Sequence, residues 1–217
     1  MSLGHGSSIV RDGLVLHLDA ANKKSYPSTG TVWKDLSGNG VDGVLINGPT
    51  FNSSNKGGIV FDGIDDYATI SQRVSTSQFT YEAFLSSSNI SKDQVYVGTT
   101  ADAFYLRIFN SRAFLSISAS GQRTLSHSSI LENNKIYHIV SIYNGVRLKI
   151  YVNGILTEGN IINATMTSWG GDRIGRWRDI DQRSFVGNLY SLKAYNRELS
   201  LEEIFQNFEA TRSRYDI

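Results

Sequence analysis

The sequence predicts an all-β fold, a sandwich or barrel of short antiparallel strands. Three observations predict it. Apolar and polar residues alternate with a period of two along much of the chain, which sends successive side chains to opposite faces of a strand. The apolar runs are short and separated by Gly, Asn and Ser, with only 2 prolines in 217 residues. One amphipathic helical pattern stands out, near the C-terminus.

The elements follow in order. "GLVLHLDA" at 13–20, "GIVFDG" at 58–63 and "YATIS" at 67–71 are bounded by turn residues and predict the first strands. "FTYEAFLSS" at 79–87, "QVYVGT" at 94–99, "AFYLRIFN" at 103–110 and "AFLSISA" at 113–119 predict the next group. In "KIYHIVSIYNGVRLKIYVNGIL" the alternation is clearest: Ile136, His138, Val140 and Ile142 share one face, and Tyr137, Ile139, Ser141 and Tyr143 the other. Asn144-Gly145 and Asn153-Gly154 then predict tight hairpin turns, because a type I′ turn needs positive φ at both central residues. Three strands in a meander result, with Val146, Leu148, Ile150 and Val152 on one face of the second. "DRIGRWR" at 172–178 and "FVGNLYSLKAYN" at 185–196 close the set of about a dozen strands. In "LSLEEIFQNFEA", Ser200 and Glu203 have the spacing of a capping box, with Leu199 and Ile204 placed as a hydrophobic staple. Ile204, Phe205 and Phe208 form the stripe expected to dock on the sandwich.

Length suits a single large β domain, and no linker interrupts it. Residues 1–11 are expected to form an N-terminal arm outside the sandwich, and 12–217 the domain, with its helix near 200–211. Hydrophobic residues at 40% indicate a globular chain, and a net charge of +1 offers no electrostatic case for nucleic acid or membrane. Without cysteine there is neither a disulfide framework nor a thiolate metal site, so folding in a reducing cytoplasm is expected. The N-terminus lacks the basic and long apolar regions of a signal peptide, and no apolar run approaches the ~20 residues of a membrane helix.

The run "GLVLHLDAAN…SYPSTGTVWKDLSGNGVDGVLINGPTF…GGIVFDGIDDYATI" closely resembles the front half of laminin-G-like, concanavalin A-like jelly-roll domains. "FTYEAFLSS", "IYHIVSIYNGVRLKIYVNG" and "FVGNLYSLKAYNRELSLEEI" resemble the middle and closing segments, so the likeness covers about residues 12–212. It implies a two-sheet jelly-roll sandwich with one concave and one convex sheet. The opening "LDAANKKSYPSTGTVWKDLSGNG" and closing "IFQNFEATRSRYDI" are similar to stand-alone versions in tailed-bacteriophage structural proteins.

Each candidate site also has a plain structural role open to it. "WKDLSGNGVDGVL" puts Asp35, Ser37 and Asn39 at alternate positions, as a calcium loop of the EF-hand kind begins, but the twelfth position is Ile46, which cannot ligate. A turn and a metal site of another geometry both remain open. Asp62, Asp65 and Asp66 crowd three carboxylates into five residues, either a solvated turn or a cation site. Relatives often place a calcium-ligating Asp on the closing strand; the resemblance puts Tyr190 there, so calcium is not expected as a cofactor. Glycanases of this fold carry Glu-x-Asp-x-(x)-Glu on one strand, whereas Glu82 stands alone, and His138 suits a hydrogen-bonded sheet histidine better than a general base. The binding candidate is "SWGGDRIGRWRDIDQR", which gathers Trp169, Asp172, Arg173, Arg176, Trp177 and Arg178.

These readings lead to an expected non-enzymatic phage virion protein: a head decoration, fibre, neck or tail-surface component made in the host cytoplasm. Its expected partners are other virion proteins or sister subunits in a homotrimer, with host glycans as a possible contact. The alternative is a lectin-like carbohydrate-binding module.

Overall fold

The computed structural model describes residues 8–70, 77–99, 104–119, 121–162, 166, 172–177, 183–215 and 217, with Asp172 described by its backbone alone. Among them, sixteen strands and one α-helix occur. In chain order the strands are β1 (Leu14–Asp19), β2 (Val32–Trp33), β3 (Gly43–Ile46), β4 (Thr50–Asn52), β5 (Gly58–Asp62), β6 (Tyr67–Ile70), β7 (Phe79–Ser87) and β8 (Gln94–Thr99). Then come β9 (Phe104–Phe109), β10 (Arg112–Ser118), β11 (Gln122–Ser126), β12 (Tyr137–Tyr143), β13 (Leu148–Val152), β14 (Ile155–Glu158), β15 (Asp172–Ile174) and β16 (Val186–Tyr195). Helix α1 spans Leu201–Thr211.

The strands form two antiparallel sheets. The first has the order β14-β13-β12-β7-β16-β5-β4, with β1 beside the second half of β16. The second has the order β11-β10-β9-β8-β15-β6-β3-β2. The main core lies between them. Phe79, Tyr81, Ala83 and Leu85 of β7 meet Phe104, Leu106 and Ile108 of β9 there, along with Trp33, Phe61 and Ile174. Alternation along each strand selects these side chains for the inner face.

The outer faces of the two sheets have different fates. Every residue of β7 and of β12 is buried, so both sets of alternating positions are out of water. On the first sheet the outer set is covered by α1 and the segments at both chain ends. Val140, Ile142 and Tyr195 pack with Ile204 and Leu199, while Phe84 and Tyr190 pack with Phe208 and Tyr215. Burying a side chain such as Ile204 contributes roughly 1.5–3 kcal/mol. Ser200 accepts a hydrogen bond from Glu203 N and Glu203 returns one to the Ser200 backbone, so the expected capping box starts the helix. Residues 8–10, assigned from sequence to an arm outside the sandwich, are instead part of this layer. Val10 is buried, its N–H donates to Asn207 Oδ1 (2.8 Å), and Gln206 Nε2 donates to Ser8 O (2.6 Å).

The two Asn-Gly hairpins also differ. Asn153 and Gly154 both have positive φ (48° and 82°) and join β13 to β14 through the tight turn expected. Asn144 does not. Its Oδ1 accepts from the N–H groups of Val146 and Arg147 (3.0 and 2.8 Å), widening the loop so that Tyr143 faces Leu148. The side chain supplies the acceptor that a type I′ backbone would have provided.

Candidate functional site

The outer face of the second sheet has no helix over it among the described residues. Its composition follows from the same alternation that fills the core. In β9, Phe104, Leu106 and Ile108 turn inward, which leaves Tyr105, Arg107 and Phe109 outward. In β10, Ala113, Leu115 and Ile117 turn inward, leaving Phe114 and Ser116 outward. Strand register aligns an outward row across all eight strands. It starts with Val32, Val44 and Thr69, passes Arg173 and Gly98, and ends with Tyr105, Ser116 and Thr124. At ~4.8 Å per strand the row is about 34 Å long.

Aromatic rings and guanidinium groups interleave on this face. Arg107 lies over the rings of Phe109, Phe114 and Tyr105, at 4.6, 5.0 and 5.3 Å from their centroids. Arg183 lies 4.6 Å over Trp177, whose ring centroid is 4.9 Å from that of Tyr105. Arg173 and Arg176 lie 4.8 and 6.0 Å over Tyr67. Asp93 ties two of the groups together, through Arg107 Nη1 at 3.1 Å and Arg183 Nε at 3.3 Å. Each stacked cation adds about 0.5–1 kcal/mol at an exposed site, and the pairing holds the planes in fixed positions. Gly98 sits at the centre: a Cβ there would meet Val95 Cγ1 at 3.1 Å and Trp177 Cδ1 at 3.2 Å, so a side chain would press the indole outward by a few tenths of an ångström.

The structure divides the expected binding residues. Arg173, Arg176 and Trp177 do lie on this face. Trp177, expected as a projecting anchor, is only 6% exposed and belongs to a small cluster with Val95 and Tyr105. Trp169, Arg178 and the Asp172 side chain lie outside the described residues. Sequence reasoning missed Tyr67, Asp93, Arg107, Phe109, Phe114 and Arg183. A signal for four of them was present: Tyr67, Arg107, Phe109 and Phe114 alternate with the core set, large aromatic or cationic side chains at positions where a solvated strand face usually carries small polar ones.

The Asp35 loop is a turn pinned to β1. Asp35 Oδ1 accepts from the N–H groups of His17 and Ser37 (both 2.8 Å), and Oδ2 from Ser37 Oγ (2.6 Å) and Val41 N (3.2 Å). Burial opposes ionisation of Asp35, but these donors outweigh it and lower the pKa. Asn39 Nδ2 donates to Leu14 O and Ser37 Oγ (3.1 and 2.9 Å), so this side chain also closes the turn. Both Asp35 oxygens, which a cation would need, already accept from protein donors.

Asp62, Asp65 and Asp66 come closer to a cation geometry, each offering an oxygen within 4.8 Å of the other two. Yet Asp62 Oδ1 accepts from Ile64 N (2.7 Å) and Asp66 Oδ2 from Asp62 N (3.0 Å), and the Lys92 ammonium donates to Gly63 O in the same loop. Burial raises the pKa of Asp66; the hydrogen bond from Asp62 N opposes this, and the two neighbouring carboxylates add to it. The loop thus works as a turn that stabilises itself through backbone donors.

Glu82 has company that its sequence context hid. It is fully buried on the outer face of the first sheet, under α1. Its Oε1 accepts from Lys193 Nζ (3.0 Å) and lies 3.1 Å from His138 Nε2, while Oε2 accepts from Asn207 Nδ2 (2.6 Å). Burial pushes the carboxyl pKa up, but Lys193 and His138 pull it down to about 2. The His138 ring stacks on Phe84 at 4.6 Å. This network is sealed from solvent and binds the helix to the sheet. Tyr190, at the position where relatives place a calcium-ligating Asp, is buried with its hydroxyl 3.2 Å from Ser86 Oγ.

The sequence matches the model of the concanavalin A-like lectin/glucanases superfamily, of the laminin G type, over residues 62–205, and the chain belongs to that family. No curated protein matches it. Among solved structures, it is similar to the binding domain of Paraclostridial Mosquitocidal Protein 1, with a TM-score of 0.72 and 14% identity over 94% of this chain and 53% of that one. It is similar to domain 4 of AbnA, a GH43 extracellular arabinanase from Geobacillus stearothermophilus, in complex with arabinotriose: TM-score 0.71, 15% identity, 91% of this chain and 98% of that one. It is also similar to Trypanosoma rangeli sialidase in complex with sialic acid: TM-score 0.66, 19% identity, 93% of this chain and 33% of that one. The chain spans about half the length of the first of these. At such identities the likeness establishes the fold, a two-sheet concanavalin A-like sandwich.

Proposed function

We propose that this chain is a non-enzymatic glycan-binding domain that holds its ligand on the outer face of the second sheet. The observation that carries the reading is the asymmetry of the two outer faces. One is sealed under α1 and the chain ends. The other presents Tyr67, Phe109 and Phe114, half-buried, among ordered guanidinium and hydroxyl groups. Sugars bind by laying their apolar C–H faces on aromatic rings while planar polar groups take the hydroxyls. The similarity to an arabinanase domain in complex with arabinotriose supports the reading, because that match covers 98% of the other chain. Glycoside hydrolysis would need two carboxylates about 5–9.5 Å apart on this face. Among the described residues, the carboxylate found within the strip is Asp93, which is engaged by Arg107 and Arg183.

The test is a glycan array followed by titration of the best binder. Phe109→Ala with Phe114→Ala should weaken that binder by about 2 kcal/mol, the scale of an interface anchor, with the melting curve little changed. Full affinity in that double variant would reject the face as the site.

We further propose that the domain is displayed on a phage virion and contacts host-surface glycans as a homo-oligomer, with a trimer expected. The support is the similarity of its opening and closing segments to stand-alone phage domains. Electron microscopy of purified virions carrying a labelled copy tests this; a copy recovered only from the soluble lysate would reject it.

A further inference from the structure

We propose that a second, cationic subsite lies at the β2 edge of this face and selects glycans that carry an acidic group. This deepens the glycan-binding reading and rests on it for the position of the rest of the ligand. The loop between β1 and β2 folds over a cleft of about 380 Å³, which falls within the ~300–1,000 Å³ of small-ligand sites. Lys23, Lys24 and Lys34 line it, together with Thr29, Thr31 and Val32.

Three observations separate this cleft from a merely solvated loop. First, the loop is held in shape. Lys34 N donates to Ser25 O (2.7 Å), Ser25 Oγ donates to Lys34 O (2.5 Å), and Tyr26 Oη donates to Gly30 O (2.7 Å). Tyr26 is itself buried against Phe51, ring centroids 5.8 Å apart. A ligand therefore meets a formed cleft and does not have to order the loop. Second, the charge is uncompensated. Among the described residues, the carboxylate paired with these lysines is Asp42, 3.7 Å from Lys34 Nζ and in contact with solvent. Three ammonium groups against one carboxylate leave a local field suited to a carboxylate, sulfate or phosphate ester. Third, the cleft is continuous with the sheet face. Val32 lines the cleft and is also the first residue of the outward row, paired with Val44, and the two are 43% and 40% exposed. A saccharide lying along the row reaches the lysines with its terminal unit, past the apolar step of Val32 and Val44.

The experiment uses probe pairs with the same sugar backbone and different charge: oligogalacturonate against its methyl ester, and dextran sulfate against dextran. Each is titrated calorimetrically into the parent, into the K23Q/K24Q/K34Q variant and into the F109A/F114A variant. All three lysines are on the surface, so the first variant keeps the fold, and a melt confirms it. The expected result is that the acidic member of at least one pair binds about tenfold more tightly, the summed effect of a few exposed charges. That preference should vanish in K23Q/K24Q/K34Q and shrink as salt is raised. Equal affinity for both members of each pair overturns the subsite, as does a preference that survives the lysine substitutions. Neutral probes lost in F109A/F114A without any charge preference leave the sheet-face reading intact and remove the subsite. A lysine-dependent preference indifferent to F109A/F114A upholds the subsite and rejects the face. Failure of every probe to bind rejects both.

Discussion

Replacing Glu82 by Gln should destabilise the protein severely, although no ligand touches it. The carboxylate is fully buried with Lys193 at 3.0 Å, and Lys193 is itself only 1% exposed. Gln keeps the size and an acceptor but leaves the ammonium without its counter-charge. Breaking a buried pair from one side costs about 3–5 kcal/mol. The titration of Glu82 leads to a similar figure: a pKa of about 2, against 4.5 in the unfolded chain, is worth about 3 kcal/mol. The sign is that of a depressed carboxyl: this stability is fully present above pH 4.5 and is lost as pH falls through about 2. For a domain of this size the substitution should lower Tm by roughly 10 °C at neutral pH. The assay is thermal unfolding by circular dichroism of the parent, E82Q, K193M and the double variant E82L/K193M. The double variant removes both charges and should be more stable than K193M or E82Q alone, recovering the part of the loss due to the unpaired charge, while His138 Nε2 and Asn207 Nδ2 still lose their acceptor. A single variant melting within about 2 °C of the parent would refute the argument. So would a double variant less stable than both singles, since removing the second charge would then have relieved nothing.

Three more predictions follow from named groups. His17 is held neutral, its pKa lowered to about 4 by burial and then by the Lys193 charge; the unfolded chain takes up a proton that the fold refuses, so stability should fall as pH drops from 6.5 to about 4, and His17→Gln should flatten that slope in a pH series of melts. Trp177→Ala should cost about 3 kcal/mol of stability, because the indole is buried with Val95 and Tyr105; an unchanged melting curve would mean that the ring contributes nothing to the fold. Calcium should be dispensable: melts in chelator and in excess calcium should agree within about 2 °C, and a rise of several degrees would show a cation bound to the folded state.

The sequence alone determined the parts of this protein that obey local rules. The strand at Phe79–Ser87, the box that starts α1 at Ser200 and the Asn153-Gly154 turn all depend on a few neighbouring residues and their backbone geometry. Resemblance added the two-sheet sandwich, but the pairing of β16 with β5, β7 and β1 joins segments far apart in the chain and is seen only in the tertiary structure. Tertiary structure decided what alternation leaves open, namely which outer face is covered. β12 is largely apolar on both faces, as a strand buried on both sides is, but that α1 is what covers its outer face follows only from the return of the helix over the sheet. The same return buries Glu82 beside a lysine 111 residues away, a pairing with no local trace. Trp177 has the surroundings of a binding anchor in sequence, but it is buried with Val95 and Tyr105, close over Gly98 of a neighbouring strand. Asp35 looks like the first ligand of a metal loop until β1 supplies the N–H of His17 and the loop itself the rest. In each case periodicity assigns a side chain to a face, and only the elements packed against that face determine whether it meets water, a partner charge or a ligand.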